Sequence, residues 1–432
     1  MSKEMIGVIC LVALLVLIYT GMRVGFCMSL IGFVGLLLVS GPSGAMSVLA
    51  LIPWRSICSY TFAAVALFML TGIIIADAGF GKDLFDCANH WLGRVKGGLS
   101  MATAAASAIL GFITYSTISN ITMGKIAVPE MKKYNYDDGL AAASVCGGAS
   151  LASIVPPSTG FILYSMLSEV SLGRLYMAAL IPAGILFLLV VVSIYLRCRM
   201  NPTLAPTSGR HYTLLEKIKS LKMVWPVLTI IVLSLVGIYT GTITPTEAAA
   251  FCAFVCIIFA MVTRRLTIKE IVKVVAGQTE MMGMVATLLT GAYVFQRLMT
   301  LSGLPNALSN FIMSIDANRY VVMAVIIVAY VLFGMFSDIN AAILITVPIV
   351  YPIVTGALGF DGVWFGVIIV SLIELGAISP PLGLNVFTLS GITGIPATKI
   401  FKSAVPYMAC IIALVILLVI FPQLATFIPN TM

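Results

Sequence analysis

Residues 374–387 read Glu374-Leu375-Gly376-Ala377-Ile378-Ser379-Pro380-Pro381-Leu382-Gly383-Leu384-Asn385-Val386-Phe387. Adjacent prolines inside an apolar run interrupt a helix, because neither supplies a backbone N–H and each ring clashes with the preceding turn. The same device stands earlier, in Ser150-Leu151-Ala152-Ser153-Ile154-Val155-Pro156-Pro157-Ser158. The two pairs have matching surroundings. Asp137 lies 19 residues before Pro156, and Asp361 lies 19 residues before Pro380. Pro182 follows Pro157 by 25 residues, and Pro406 follows Pro381 by 25. Farther out, Tyr19-Thr20-Gly21 recurs as Tyr239-Thr240-Gly241, and Leu70-Thr71-Gly72 as Leu289-Thr290-Gly291. The offset stays between 219 and 224 residues. One apolar plan is therefore written twice, and hydrophobic segments broken by Gly and Pro at matching places point to a transporter's binding site.

The composition sets the class. Of 432 residues, 61% are hydrophobic and 9% charged, whereas a soluble domain carries roughly 25% charged residues. Almost uncharged windows such as Met177–Tyr195, Trp225–Tyr239 and Ser403–Ile420 recur, and helices of this kind cross a bilayer core of about 30 Å. Lys3 followed by Ile6–Tyr19 has the look of a signal peptide, but no small-x-small site follows, so a retained first helix is expected. The nine cysteines form no CxxC pair; Cys252 and Cys256 share a helical face without further ligands and read as core residues. His90 and His211 are the two histidines, both in polar stretches, so no His-based metal or catalytic cluster is expected.

The net charge of +8 sorts by membrane side rather than marking a nucleic-acid surface. Six positive charges lie between Arg197 and Lys222, and four between Arg264 and Lys273. Two apolar spans separate these segments, so both face one side, which the positive-inside rule makes the cytoplasm. Propagating outward puts 18 of the 24 lysines and arginines inside. Lys3, Arg55, Arg174, Arg297 and Arg319 fall outside, and Lys125 lies within an apolar segment. This map requires Ser100–Met131 and Arg319–Val354 each to return to the side they enter. Both are interrupted, at Thr114–Asn120 and at Ser337-Asp338-Ile339-Asn340, so both read as re-entrant hairpins.

The expected fold is an all-α polytopic membrane protein with two inverted repeats, about ten transmembrane helices and two re-entrant hairpins. Residues 1–200 form the first repeat, with a hairpin at 100–131 and a broken helix at 140–165. Residues 201–222 are a cytoplasmic basic linker. Residues 223–432 form the second repeat, with a hairpin at 319–354 and a broken helix at 363–389. Ala45–Pro53 and Leu266–Val275 occupy matching places and are expected to be short interfacial helices.

Four elements should meet at depth: two hairpin tips and two broken helices. The first broken helix is expected to be interrupted at Gly147-Gly148-Ala149-Ser150 and again at Ser153–Thr159, the second over Glu374–Pro381. Proline frees the carbonyl four residues earlier. Freed carbonyls and hydroxyls suit a small hard cation such as Na⁺, and half-helix N-termini suit an anionic substrate group. Asp338 and Glu374 are carboxylates inside apolar segments and so are functional candidates; Asp338 serves equally as a helix cap, and Glu374 as a bridge between helices. Asp137, Asp361 and Glu247 read as helix-entry residues. Lys125 is read as snorkelling, with Glu130 or an anionic substrate as other partners. HExxH, GxSxG and Walker A motifs are absent, so no enzyme is expected.

The chain resembles a known family. The Ser150–Ser158 segment, Gly173-Arg174-Leu175-Tyr176, Ala179-Leu180-Ile181-Pro182, Thr244-Pro245-Thr246-Glu247-Ala248-Ala249, Gly334-Met335-Phe336-Ser337-Asp338 and Ser379–Phe387 are similar to the large membrane (permease) subunit of TRAP transporters, DctM-like, over essentially the whole chain. The resemblance implies sodium-coupled import of an organic acid, a carboxylate, by scaffold and elevator-type transport regions in a bacterial or archaeal inner membrane. It implies a small membrane subunit and a periplasmic substrate-binding protein as partners, the lipid bilayer as surroundings, no nucleic acid, no transition metal, and no cofactor beyond sodium ions. One implied cation cluster joins Ser119 and Asn120 to Gly147, Gly148 and Ser150. The other joins Asp338 and Asn340 to Gly376 and Ser379, with Glu374 nearby. Ser116, Ser158, Thr159 and Asn385 mark the substrate region. Tyr115, Lys125 and Ser379 depart from the family's pattern, at the first hairpin and before the second Pro-Pro pair. A stand-alone ion-coupled carrier or antiporter of the wider ion-transporter class is the alternative. An intramembrane enzyme lacks its nucleophile constellation, and an open channel fits the paired hairpins and broken helices less well.

Overall fold

In a computed structural model, residues 2–111, 116–206, 213–315 and 318–432 are described, apart from the side chains of residues 116–118 and 223. Among them no strand occurs. The first half runs α1 (Lys3–Tyr19), α2 (Val24–Ile57), α3 (Tyr60–Asp77), α4 (Phe80–Leu92), α5 (Gly98–Gly111), α6 (Ser116–Lys133), α7 (Asp138–Ile154), α8 (Thr159–Ser168) and α9 (Leu172–Met200). The second runs α10 (Leu214–Tyr239), α11 (Pro245–Val262), α12 (Ile268–Ser302), α13 (Leu304–Ser314), α14 (Arg319–Gly334), α15 (Ile339–Pro352), α16 (Gly362–Ile378), α17 (Leu384–Thr393) and α18 (Ala397–Ile420).

Eight helices among the described residues are long and apolar enough to cross a bilayer, or nine if the bent pair Leu214–Lys222 and Val224–Tyr239 is one span. The expected count was about ten. Two of the expected spans, α1 and α16, have 17 residues each, and Ile339–Ala357, expected as a hairpin arm, reaches spanning length.

Helix entries are built as the sequence suggests. Thr213, Thr244 and Thr267 each form a capping box with Glu216, Glu247 and Glu270. Asp361 accepts from Val363 N and Trp364 N at 2.7 and 3.0 Å. Asp137 accepts from Leu140 N at 2.9 Å, and Lys399 Nζ reaches its other oxygen at 2.9 Å. Burial pushes the Asp137 carboxyl up, but Lys399 and the backbone N–H groups of Leu140 and Gly139 outweigh it and hold the pKa below the usual range. A lowered folded-state pKa gives stability that is present above the unfolded value of about 3.9 and is lost as pH falls through the folded one. Asparagine keeps the cap but not the ion pair. Asp137→Asn should therefore cost about 1 kcal/mol at pH 7, given the partial exposure of the pair, and thermal unfolding should show this gap closing on acidification.

Two packed sets of helices result. In one, α2 lies along α12, with α1, α3 and α11 beside them. In the other, α5, α6, α9, α14, α15, α17 and α18 surround α7 and α16, which touch each other. Every residue of Gly139–Ile154 and of Val363–Ile378 is buried, as expected of helices apolar on all sides. Small residues dominate α7, and they let several neighbours approach it closely.

One expectation fails here. Ile268–Val275 is not a separate interfacial helix but the opening turns of the 35-residue α12. Ala45–Pro53 belongs to a separate helical stretch of α2 that follows a break at Gly41, where φ is +74°. The repeated Pro-Pro pairs do mark breaks: α7 gives way to extended Val155 and Ser158, and α16 to extended Ser379 followed by left-handed Gly383.

Candidate functional site

The breaks are shorter than expected. α7 runs unbroken through Gly147–Ser150, and α16 through Glu374–Ile378. Intrahelical bonds therefore continue across most of both motifs. The Gly376 carbonyl, which Pro380 leaves without its usual donor, accepts from Ser379 N at 3.0 Å.

A polar chain crosses the centre of the second helix set. Glu374 is fully buried. Its Oε2 accepts from Ser153 Oγ at 2.7 Å and its Oε1 from Asn385 Nδ2 at 2.8 Å. The Asn385 carbonyl accepts from Asn120 Nδ2 at 2.8 Å. One carboxylate thus joins α7 to both segments of the second broken helix and, through Asn385, to α6. Such a group at depth is tolerable because donors meet both of its oxygens. Helix bridging was one of the two readings of Glu374, and the geometry shows it.

Near the start of α6, Ser119 Oγ donates to the Ser107 carbonyl at 3.2 Å. Asn120 Oδ1 and Ser107 Oγ are buried and have no hydrogen-bond partner among the described residues. A Cβ at Gly148 would stand 2.6 Å from Ser107 Oγ, so glycine there makes room for that hydroxyl. Ser119 and Gly148 therefore meet at Ser107, while Asn120, the next residue of α6, reaches Asn385. Gly147 faces the Tyr407 ring with its Cα hydrogens, and Ser150 Oγ donates to Cys146 O at 3.1 Å within its own helix. Ser107 was missed, because a serine in an Ala/Ser-rich helix reads as a packing residue.

The second expected cluster divides. Asp338 is exposed and caps α15, accepting from Asn340 N at 3.2 Å. Asn340 lines a small space with Thr159, Leu163 and Leu344, and its Oδ1 is buried without a partner among the described residues. It faces the start of α8, not Gly376. Gly376 abuts Gly334, and Ser379 Oγ donates to Leu375 O at 2.6 Å. Each turn at the start of α6 or α15 thus reaches the start of the other half's second broken segment: Asn120 at α17, Asn340 at α8. Ser158 is buried beside Thr159 at the α8 entry, without a side-chain capping bond. Tyr115 and the Ser116 side chain lie outside the described residues. Lys125 is exposed; Glu130 pairs with Lys133 instead, at 2.7 Å. Among the described residues, no three His, Cys, Asp or Glu side chains converge.

α12 also meets the end of α8. Tyr293 Oη and Gln296 Nε2 of α12 donate to the Met166 and Leu167 carbonyls at 3.0 and 2.9 Å. These carbonyls end α8 and have no intrahelical donor.

Comparison with known proteins gives a consistent picture. The family model described as tripartite ATP-independent periplasmic transporter, DctM component, matches residues 11–424. The C4-dicarboxylate TRAP transporter large permease protein DctM of Pseudomonas aeruginosa is 29% identical over 90% of this chain and 93% of its own. The sialic acid TRAP transporter large permease protein SiaM of Vibrio cholerae is 26% identical over 96% of each. The ectoine TRAP transporter large permease protein TeaC of Halomonas elongata is 28% identical over 91% and 92%. Among solved structures, the Alcanivorax borkumensis YdaH transporter superposes with a TM-score of 0.62 at 14% identity, covering 88% of this chain and 89% of that one. That likeness concerns the fold alone.

Proposed function

The chain belongs to the DctM component family of tripartite ATP-independent periplasmic transporters, and from that premise we propose that it is the large permease subunit through which a sodium gradient drives import of an organic acid. It works with a small membrane subunit and a periplasmic binding protein in a bacterial inner membrane. Relatives named for C4-dicarboxylate and sialic acid support an acid as cargo. Sodium ions are the coupling ions, and no other cofactor is involved. The helices around α7 and α16 move as an elevator against the α2–α12 frame, with the two halves inverted in the membrane.

The observation that carries the sodium reading is that two buried oxygens, Asn120 Oδ1 and Ser107 Oγ, meet no donor among the described residues. A buried acceptor without a donor costs free energy, and a small hard cation satisfies it with oxygen ligands alone. Asn385 links this proposed ion site to Glu374, since its carbonyl holds Asn120 and its side-chain amide holds Glu374. An anionic group at the start of α8 or α17 would meet backbone N–H groups of the helix ends.

The test is uptake of a labelled carboxylate panel into proteoliposomes holding this chain and its small subunit. Uptake that needs both an inward sodium gradient and the binding protein is expected. Asn120→Ala should raise the half-saturating sodium concentration about tenfold, the scale of one lost buried contact. Uptake independent of sodium would overturn the coupling, and uptake without the binding protein would move the chain to the stand-alone carriers.

A further inference from the structure

We propose that a groove between α14, α16 and α18 holds an acyl chain of an anionic phospholipid, with the lipid's phosphate gripped by Arg319. The groove encloses about 360 Å³. Its walls are entirely aliphatic, among them Val328 and Leu332 of α14, Leu372 and Leu375 of α16, and Ile412 and Ile416 of α18. It opens sideways: Val328 is 58% exposed, Leu332 54% and Ile416 52%. In a membrane protein that side meets lipid tails. Tails are as apolar as leucine, so the walls alone do not favour one lipid over another. Selection has to come from a polar feature at the groove's end.

Arg319 supplies it. It opens α14, and Ile327, the first α14 residue on the groove wall, follows eight residues later, about 12 Å along the helix. Its guanidinium carbon lies 5.0 Å from the Tyr320 ring centre and 5.2 Å from that of Phe360. Phe360 stacks on Trp364 in the first turn of α16, and Trp364 Nε1 donates to Leu418 O of α18 at 2.7 Å. Arg319 and all three helices of the groove are thus joined in one layer. Val419 and Ile420, next to Leu418, line the groove, so this layer sits at its end.

Among the described residues the guanidinium donates once, to Tyr320 Oη at 3.2 Å, and forms no ion pair. Against those residues four of its five N–H donors stay open to a ligand, and their fork matches a phosphate. Arginine and tyrosine at the mouth of an apolar groove also mark the headgroup level of a bilayer. The charge selects an anionic headgroup, and the groove holds its chain. This site does not rest on the sodium-coupled reading above, since its argument uses none of the groups of the central polar chain.

The experiment is native mass spectrometry of the full-length chain, delipidated in detergent and offered phosphatidylglycerol and phosphatidylcholine together. One phosphatidylglycerol should be retained. Arg319→Ala should lower its retention about tenfold, the scale of lost charge-assisted hydrogen bonds, and Arg319→Lys less. Val328→Trp, which fills the groove but keeps the charge, should lower retention too. Both positions are exposed, and unchanged thermal unfolding would show that the variants fold. Equal retention by Arg319→Ala and the parent chain would overturn the site. So would equal competition by glycerol phosphate, which has no chain, or disulfide-linked dimers of a Val328→Cys variant that exclude lipid.

Discussion

Glu374→Gln is expected to cut substrate uptake about a hundredfold, because a buried hydrogen bond to a charged group is worth about 1.5–3 kcal/mol and each 1.36 kcal/mol is tenfold in rate. The carboxylate accepts at both oxygens, from Ser153 on α7 and Asn385 on α17. Glutamine is neutral: its carbonyl can keep Asn385 and its NH₂ would have to donate to the Ser153 hydroxyl, so both charge-assisted bonds are replaced by weaker neutral ones and the Ser153 hydroxyl has to turn away. Asn385 also holds Asn120 through its carbonyl, so a shift there spreads to α6 and the unpaired oxygens beside it. Glu374→Ala goes further, leaving both donors unpaired in a dry core. It should unfold at lower temperature as well as fail to transport. A double-mutant cycle separates the contributions: if the α7 contact carries the effect, Ser153→Ala and Glu374→Gln will combine less than additively. Uptake by Glu374→Gln at the parent rate would remove the carboxylate from the mechanism.

The second large effect concerns packing. A Cβ at Gly376 would overlap the Gly334 backbone, which has no side chain to move aside. The reverse substitution is gentler, since a Cβ at Gly334 would stand 3.2 Å from Ile373 Cα and 3.4 Å from Gly376 Cα. Overpacking costs about 1–3 kcal/mol, and the two positions should fall at opposite ends of that range. Gly376→Ala should destabilise the purified chain by about 3 kcal/mol and Gly334→Ala by about 1 kcal/mol. Thermal unfolding of both variants checks the order, and equal shifts would show that α14 is free to move away from α16. Uptake should fall with Gly376→Ala, because α14 leads directly into the Asp338–Asn340 turn.

How much of this could be read from the chain depends on what each signal encodes. The Pro-Pro pairs break helices for a local covalent reason, so their positions were legible. So were the entry residues Asp137, Asp361 and Glu247, since a cap needs only its own next turn. The glycines misled. Gly147, Gly148 and Gly376 read as breaks, yet all three sit in regular helix, where their role is to admit Tyr407, Ser107 and Gly334. Glycine reports both a bent backbone and a close neighbour, and a single sequence does not separate them. The partners of Glu374 were hidden for another reason. Ser153 lies 221 residues away, and nothing local distinguishes it from Ser150, which turns back on its own helix. Asn340 was grouped with Gly376 through the resemblance, but the fold turns it towards α8 in the other half.

The 35 residues of α12 have a consequence for the surrounding lipid. At 1.5 Å per residue the helix is about 52 Å long, against a hydrocarbon layer of about 30 Å. Even at a steep tilt of about 40°, it covers about 40 Å of depth, nearly the whole bilayer with its headgroups. A thinner membrane has to lean this helix further over, and a thicker one stands it up. Tyr293 and Gln296 ride on α12, so the height at which they meet the end of α8 follows the lean. Membrane thickness is in this sense a dimension of the protein itself.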